Sequence, residues 1–369
     1  MAQPATKKLD KQFLFGILVL TITGFFIFSS ASLGILTKSE DKFKAIALNQ
    51  FLFGLCLGLV ALTITSFIHY KYWKKISLIA FIGSVILTAL VFVPGIGWSH
   101  GGATRWISFG TWSFQPGEIL KIGYIMYLSA IFSKHKNKIG TFRYGLLPFG
   151  ILTGIVGTLL VLQPDTDTFF MTAFAGMCMF FVAGARWRDI LTIIVIGIIG
   201  FGIILYTHPY IQKRVITFIN PDKNALTSGY QIQQSLIAIG GGGVLGKGFG
   251  QSTQKFGYLP EPIGDSIFAV ASEEFGFVGS LTLIILFLFF TLRGLKIATS
   301  TEDEFGRLLA LGIVILIIAG SFINIAAMLA IIPLSGTPLL FISHGGTALF
   351  LTLAEVGIIL NISKYRKTI

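Results

Sequence analysis

The feature that most constrains this chain is a series of long apolar runs. They fall at 13–36, 47–68, 76–94, 117–133, 144–162, 166–184, 189–206, 266–292, 306–332 and 339–363. A helix needs about 20 such residues to cross the hydrocarbon core of a bilayer. The expected fold is an all-α polytopic membrane protein with ten transmembrane helices in one domain spanning 1–369. The interval 207–265, between the seventh and eighth runs, is then a long extracytoplasmic loop. Only 12% of the residues are charged and 54% are hydrophobic, where a soluble domain carries about 25% charge. The 43 glycines suit close helix packing and the 35 phenylalanines a lipid-facing surface.

The remaining composition narrows the class further. Cys56 and Cys178 both lie inside apolar runs, so they read as packed thiols rather than a disulfide framework. A net charge of +12 raises nucleic acid as a partner. No basic helix or basic patch interleaved with aromatics supports it, and no nucleic acid is expected. The start, MAQPATKKLDK before an apolar run, has the charge order of a signal peptide. That run is too long for a signal sequence and lacks a clean cleavage site, so it reads as a retained first helix.

An even number of spans puts both termini on one side. Lysine and arginine crowd that side, at Lys7, Lys8, Lys11, Lys71, Lys74, Lys75, Lys134, Lys136, Lys138, Arg143, Arg186, Arg188, Arg293, Lys296, Arg307, Lys364, Arg366 and Lys367. Fewer lie opposite, mostly in two long loops, among them Lys213, Lys223, Lys247 and Lys255. Positive charge favours the cytoplasm, so both termini are expected there. Loops 95–116 and 207–265, the turn 163–165 and the segment 333–338 then face outward. Nearly every unusual polar motif falls on that face.

Pro116 suits the first turn of a helix, which places Glu118 and Lys121 on one face within pairing reach. Just inside a membrane, such a pair is either a structural lock or a functional group. Trp106 fits an interfacial anchor, and Arg105 beside it has forked donors suited to a phosphate. In Gln163-Pro164-Asp165-Thr166-Asp167-Thr168, one aspartate can cap the next helix. The two carboxylates together can also hold a divalent cation.

Residues 230–238 in the long loop read as a short amphipathic helix on the bilayer. The glycine run 240–250 follows. Gly241 to Lys247 approaches a phosphate-binding loop, but Gly248 stands where Ser or Thr is needed and no strand precedes it, which excludes an NTPase. Glycines still let backbone N–H groups approach an anion, with Lys247 adding charge. Asp265 can cap the helix that follows, while Glu273 and Glu274 sit two turns in, where charge demands a reason. His344 reads as a histidine inside the last span, and the Gly345-Gly346 pair after it as close helix packing.

Six motifs in order give the chain a family resemblance: GATRWI, FQPGEILK, LQPDTDT, GYQIQQSLIAIGGGGVLGKGFG, YLPEPIGDSIFAVASEEFGFVG and FISHGG. Together they resemble the SEDS family of shape, elongation, division and sporulation proteins over nearly the entire chain. The stretch QSTQKFGYLPEP sides with the division branch over the rod-shape branch. The resemblance implies a peptidoglycan glycosyltransferase that polymerises lipid II outside the cytoplasmic membrane during cell division. Its implied partners are a class B penicillin-binding protein, other divisome membrane proteins and membrane lipid.

Residue by residue, Asp265 matches the family's essential loop aspartate, with Gly264 replacing the common Thr. Asp165 matches the Gln-Pro-Asp aspartate, with Asp167 in place of the usual Gly. Glu118 and Lys121 match a helix-4 pair, Arg105 the arginine before Trp, and His344 stands where the family mostly has Tyr. The implied mechanism makes Asp265 the general base on a GlcNAc 4-hydroxyl attacking C1 of MurNAc. Arg105, Lys247, Lys255, Gln231 and Ser343 are the candidates for substrate and pyrophosphate binding, and Asp165 the candidate ligand for Mg or Mn. A lipid II flippase, with Glu118, Lys121, Glu273 and Glu274 lining a polar path, is the rival reading. A catalytically idle division scaffold is a third.

Overall fold

The structure, a computed structural model, describes residues 8–100, 103–109, 112–221 and 228–366. Gly102 of the first motif, Lys7, Lys223 and Lys367 lie outside the described residues. α1 (Lys11–Leu36) starts at Asp10, whose carboxylate accepts from the Phe13 N–H at 2.9 Å and so caps the first turn. α2 (Glu40–Asn49), a π-helical segment Gln50–Cys56 and α3 (Leu57–Phe67) form one continuous membrane-length helix. α4 (Tyr70–Ala89) follows, and then the chain does what an all-helical expectation did not include. Strands β1 (Gly97–His100), β2 (Ala103–Phe109) and β3 (Trp112–Phe114) form a small antiparallel sheet with β2 in the middle.

α5 (Pro116–Lys134) begins with Pro116 in its first turn, where the missing N–H leaves no bond unmade. α6 (Leu146–Leu162), α7 (Thr166–Val182) and α8 (Trp187–Thr207) are joined by short turns. The long loop carries two helices, α9 (Pro209–Ile219) and α10 (Ser228–Gly241). α11 (Ile267–Ser300), α12 (Glu304–Met328) and α13 (Gly346–Ser363) complete the bundle.

Among the described residues, eight helices are long and apolar enough to cross a membrane. The two other expected spans are helical but fall short of that measure. α5 carries Glu118 and Lys121 in its first turns, and α7 has only 17 residues. The chain is a multi-pass membrane protein, and eight of the ten expected spans meet the measure.

α12 is the axis of the bundle, packing against α5, α7, α11 and α13 and buried along most of its length. α8 is its opposite. Its only buried residue is Ile190, so lipid rather than protein solvates its apolar surface. At the end of the bundle opposite the termini, the sheet, the turn 163–165, the loop helices and the segment 333–345 gather. That segment departs from the expected span 339–363. Phe341 takes a left-handed φ of 69° and Pro338 has no N–H to give, so the last helix starts only at Gly346. His344 therefore lies outside the helix rather than within a span.

α10 covers the expected 230–238 helix but does not simply lie on the bilayer. It packs on α11 and buries Ile232, Ser235 and Ala238. The glycine run that follows enters a break in α11, where Gly276 is non-helical (φ 66°, ψ −163°). The loop replaces the lost helical bonds: Lys247 N–H donates to the Glu273 carbonyl at 3.0 Å and Gly248 N–H to that of Glu274 at 2.9 Å. Phe277 N–H donates back to the Gly243 carbonyl at 2.9 Å. Gly246, at φ 82°, lies so close that an added Cβ would stand 2.2 Å from the Glu274 carbonyl oxygen. Close approach of two backbones, not a nucleotide, explains these glycines.

Candidate active site

A cavity of about 460 Å³ opens where the sheet, α5, α7, α9 and the loops 261–265 and 336–347 meet. Its polar lining includes Arg105, Glu118, Lys121, Asp165, Arg214, Glu261, Asp265 and His344.

Asp265 reaches this cavity because it is not the helix cap that the sequence suggested. α11 begins at Ile267 with Ser266 as its N-cap. The preceding turn closes on Glu261, whose carbonyl accepts from both the Gly264 and Ser266 N–H groups at 3.1 Å. Glu261 takes a left-handed φ of 46° to do so, a conformation that stores strain in a non-glycine residue. The Asp265 carboxyl is left beside Glu261, Arg214, Asp167 and Arg105. Burial, reinforced by the neighbouring Glu261 and Asp167 charges, pushes its pKa up to about 7 against the pull of Arg214 and Arg105.

Arg105 comes from β2, where alternation puts it on the same face as buried Ala103 and Ile107. It clamps the turn between α6 and α7. Its Nε donates to the Gln163 carbonyl at 3.1 Å, and its guanidinium also binds the Pro164 carbonyl. Nη1 stands 3.6 Å from Asp165 Oδ1, and Gln115 Nε2 donates to Asp165 Oδ2 at 2.8 Å. Burial raises the Asp165 pKa, opposed by Arg105. The Asp165 oxygens thus face an arginine and an amide. Among the described residues no group of three His, Cys, Asp or Glu could hold a metal ion. Asp165, the expected Mg or Mn ligand, is already engaged by Arg105 and Gln115.

Glu118 and Lys121 pair at 2.8 Å, both nearly inaccessible, and border the same cavity. They are a satisfied ion pair, three residues apart as expected.

Arg214 was not among the candidates, yet it sits at the centre of the site. Its Nη1 is 2.6 Å from Asp167 Oδ2, and its guanidinium lies 4.5 Å from the Tyr210 ring centroid. Asp167 Oδ2 also accepts from the Gly336 N–H at 3.0 Å. The sequence did hold a signal. Ile211, Arg214 and Thr217 are three apart, and Ile211 and Thr217 are the buried residues of α9, so Arg214 falls on its inward face. Glu355, buried on α13 within electrostatic reach of Lys121 and Glu118, was missed as well. It stands in an unbroken apolar run with no motif around it.

Four expected substrate contacts do not line the cavity. Lys247 Nζ pairs with Glu273 at 2.6 Å, and Lys255, fully buried, pairs with Glu274 at 2.6 Å. Ser252, Thr253 and Ser30 complete both carboxylates' bonding. These lysines neutralise charge at the α11 break, since a buried carboxylate without a partner is costly. Gln231 Nε2 donates to Ser266 Oγ at 3.0 Å. Ser343 Oγ donates to the Gly264 carbonyl at 2.8 Å. Both brace the Asp265 turn. His344 lines the cavity, with burial lowering its pKa.

A polar cavity at one end of a multi-pass helical bundle, lined by a small sheet and a long loop, gives this membrane protein a candidate reaction site. The chain belongs to the FtsW/RodA/SpoVE family of cell cycle proteins, whose family model matches residues 11–368. The SEDS resemblance is thereby borne out. It is 37% identical to stage V sporulation protein E of Bacillus subtilis (strain 168), over 98% of this chain and 99% of the relative. It is 34% identical to a probable peptidoglycan glycosyltransferase FtsW of Geobacter sp. (strain M18), over 91% of each chain. Its fold matches a solved chain from a peptidoglycan synthase complex that coordinates polymerization and crosslinking. That match has a TM-score of 0.80 at 24% identity, covering 97% of this chain and 99% of the other.

Proposed function

We propose that this protein is a peptidoglycan glycosyltransferase of the division type that polymerises lipid II, with Asp265 as its general base. One observation carries the reading: a buried carboxyl with a pKa of about 7 facing a polar cavity that two arginines share. A base poised near the working pH is the one that transfers a proton most effectively. In the reaction, Asp265 takes the proton of an acceptor GlcNAc 4-hydroxyl. The hydroxyl oxygen forms a bond to C1 of the donor MurNAc as the bond from C1 to the pyrophosphate oxygen breaks. Undecaprenyl pyrophosphate leaves with that electron pair, and the anomeric centre inverts. Arg105 and Arg214 are the cations near Asp265 that offset the charge developing on the pyrophosphate. Lys247 and Lys255, spent on Glu273 and Glu274, have no part in this step.

The bias of lysine and arginine supports cytoplasmic termini and a cavity facing outward. The FtsW relatives support the activity. The likeness to a chain of a synthase complex supports a transpeptidase partner, here a class B penicillin-binding protein, alongside other divisome membrane proteins. The test supplies labelled lipid II in vesicles to the purified protein with its transpeptidase. Glycan polymer is the expected product. Movement of lipid II between leaflets without polymer would replace this reading with a flippase.

A further inference from the structure

Three consecutive carbonyls, those of Ile263, Gly264 and Asp265 itself, are each held by a donor from outside the turn. His344 N–H donates to the Ile263 carbonyl at 2.7 Å. Ser343 Oγ donates to the Gly264 carbonyl at 2.8 Å. Asn324 Nδ2 donates to the Asp265 carbonyl at 2.7 Å. Such a run is uncommon for a loop, whose carbonyls ordinarily face water. Here the loop gives up that solvation to a matched set of protein donors.

Asn324 has a second tie. The same Nδ2 donates to the Thr337 carbonyl at 2.8 Å, so one amide on α12 holds both walls flanking Gly336. Asn324 is fully buried and its Oδ1 has no partner. An unmatched buried acceptor is unfavourable by about 1–3 kcal/mol, so the two carbonyls alone give a polar group a reason to be there. Ser343 is likewise fixed from behind, its Oγ accepting from the Leu339 N–H at 2.8 Å. The hydroxyl proton is thereby left to point at Gly264. None of these groups needs to touch substrate to act, because Asn324 stands on α12, which with α13 has the largest buried share among the membrane-length helices and serves as a fixed reference.

We infer that Asn324 and Ser343 are positioning residues for Asp265, gripping the backbone of the 263–265 turn so that its carboxyl keeps one place in the cavity. This rests on Asp265 being the base, and it assigns Ser343 to the loop rather than to the substrate. Small displacements of a catalytic group reduce turnover by about 100-fold, while substrate affinity, set elsewhere in the cavity, is unaffected.

The experiment compares wild type, Asn324→Ala, Ser343→Ala, Ser343→Thr and Asp265→Ala for lipid II polymerisation, with hydrogen exchange measured across residues 263–266. Asn324→Ala and Ser343→Ala should each lower kcat by about 10–100-fold with KM little changed. Both should speed exchange at the turn, and Ser343→Thr, which keeps the hydroxyl, should match wild type. Wild-type kcat or unaltered exchange in the two alanine variants overturns the inference, as does a rise in KM alone, which would return Ser343 to substrate binding. Activity surviving in Asp265→Ala would instead sink the base reading beneath it. A variant too unstable to assay passes the decision to the other one.

Discussion

Arg214 Nη1 lies 2.6 Å from Asp167 Oδ2, and the pair links the loop helix α9 to the first turn of α7 directly beside Asp265. The same Asp167 oxygen takes the Gly336 N–H, so three separate segments converge on one carboxylate. Asp167 therefore ties α9 and the 336 segment to the start of α7.

Arg214→Gln should damage activity as well as folding. The pair is mostly buried, with side chains 16% and 24% accessible, so its loss should also lower stability, by about 1.5–3 kcal/mol. Polymerisation should fall by about 100-fold, the effect of losing one charge-stabilising donor. Arg214→Lys should recover little, because the planar fork reaching both Asp167 and the Asp265 side is lost. Steady-state polymerisation rates beside thermal unfolding in detergent separate the two effects.

The acid limb of the pH–rate profile should report Asp265. A base works only when deprotonated, so activity should drop as pH falls through about 7. Glu261→Gln removes a charge that raises the Asp265 pKa and should move that limb to lower pH. Arg105→Gln removes one that lowers it and should move the limb upward. Initial rates between pH 5 and 9 decide it.

Gly336 guards the space between these groups. A Cβ there would stand 3.5 Å from Arg214 Nη2, 3.8 Å from Asp265 Oδ2 and 4.0 Å from Asp167 Oδ2. Those are ordinary contacts, so Gly336→Ala should fold normally. Gly336→Leu should fill the gap and abolish polymerisation while leaving the helical circular dichroism spectrum intact.

Glu118 and Lys121 should behave as a buried pair. Removing either partner alone, as Glu118→Ala or Lys121→Ala, leaves an uncompensated charge and should destabilise by about 3–5 kcal/mol. Replacing both with apolar residues should restore much of that loss. Denaturation of all three variants tests this, and additive effects would rule out the pairing.

The sequence showed the helices well and their pairings poorly. Apolar runs located the spans because bilayer thickness sets their length. Asp265, Arg105, Glu118, Lys121 and Asp165 were legible because charge and proline stand out at the edges of such runs. What escaped were relationships that only folding creates. Lys247 and Lys255 looked available for an anion until Glu273 and Glu274 met them across the α11 break. The sheet at 97–114 was read as loop because its strands are short, of four, seven and three residues. Arg214 needed the inward face of α9 and Asp167 on another helix, a contact between residues 47 positions apart.

The central claim is that the Asp265 carboxylate accepts the proton in glycosyl transfer. Asp265→Asn keeps the shape of the side chain and its place in the turn while removing its basicity. Rates of glycan polymer formation from labelled lipid II, measured at pH 8 with the transpeptidase present, test it most directly. Asp265→Asn should bind lipid II as wild type does but polymerise it at least about 100-fold more slowly. Polymerisation at the wild-type rate by Asp265→Asn would contradict the claim.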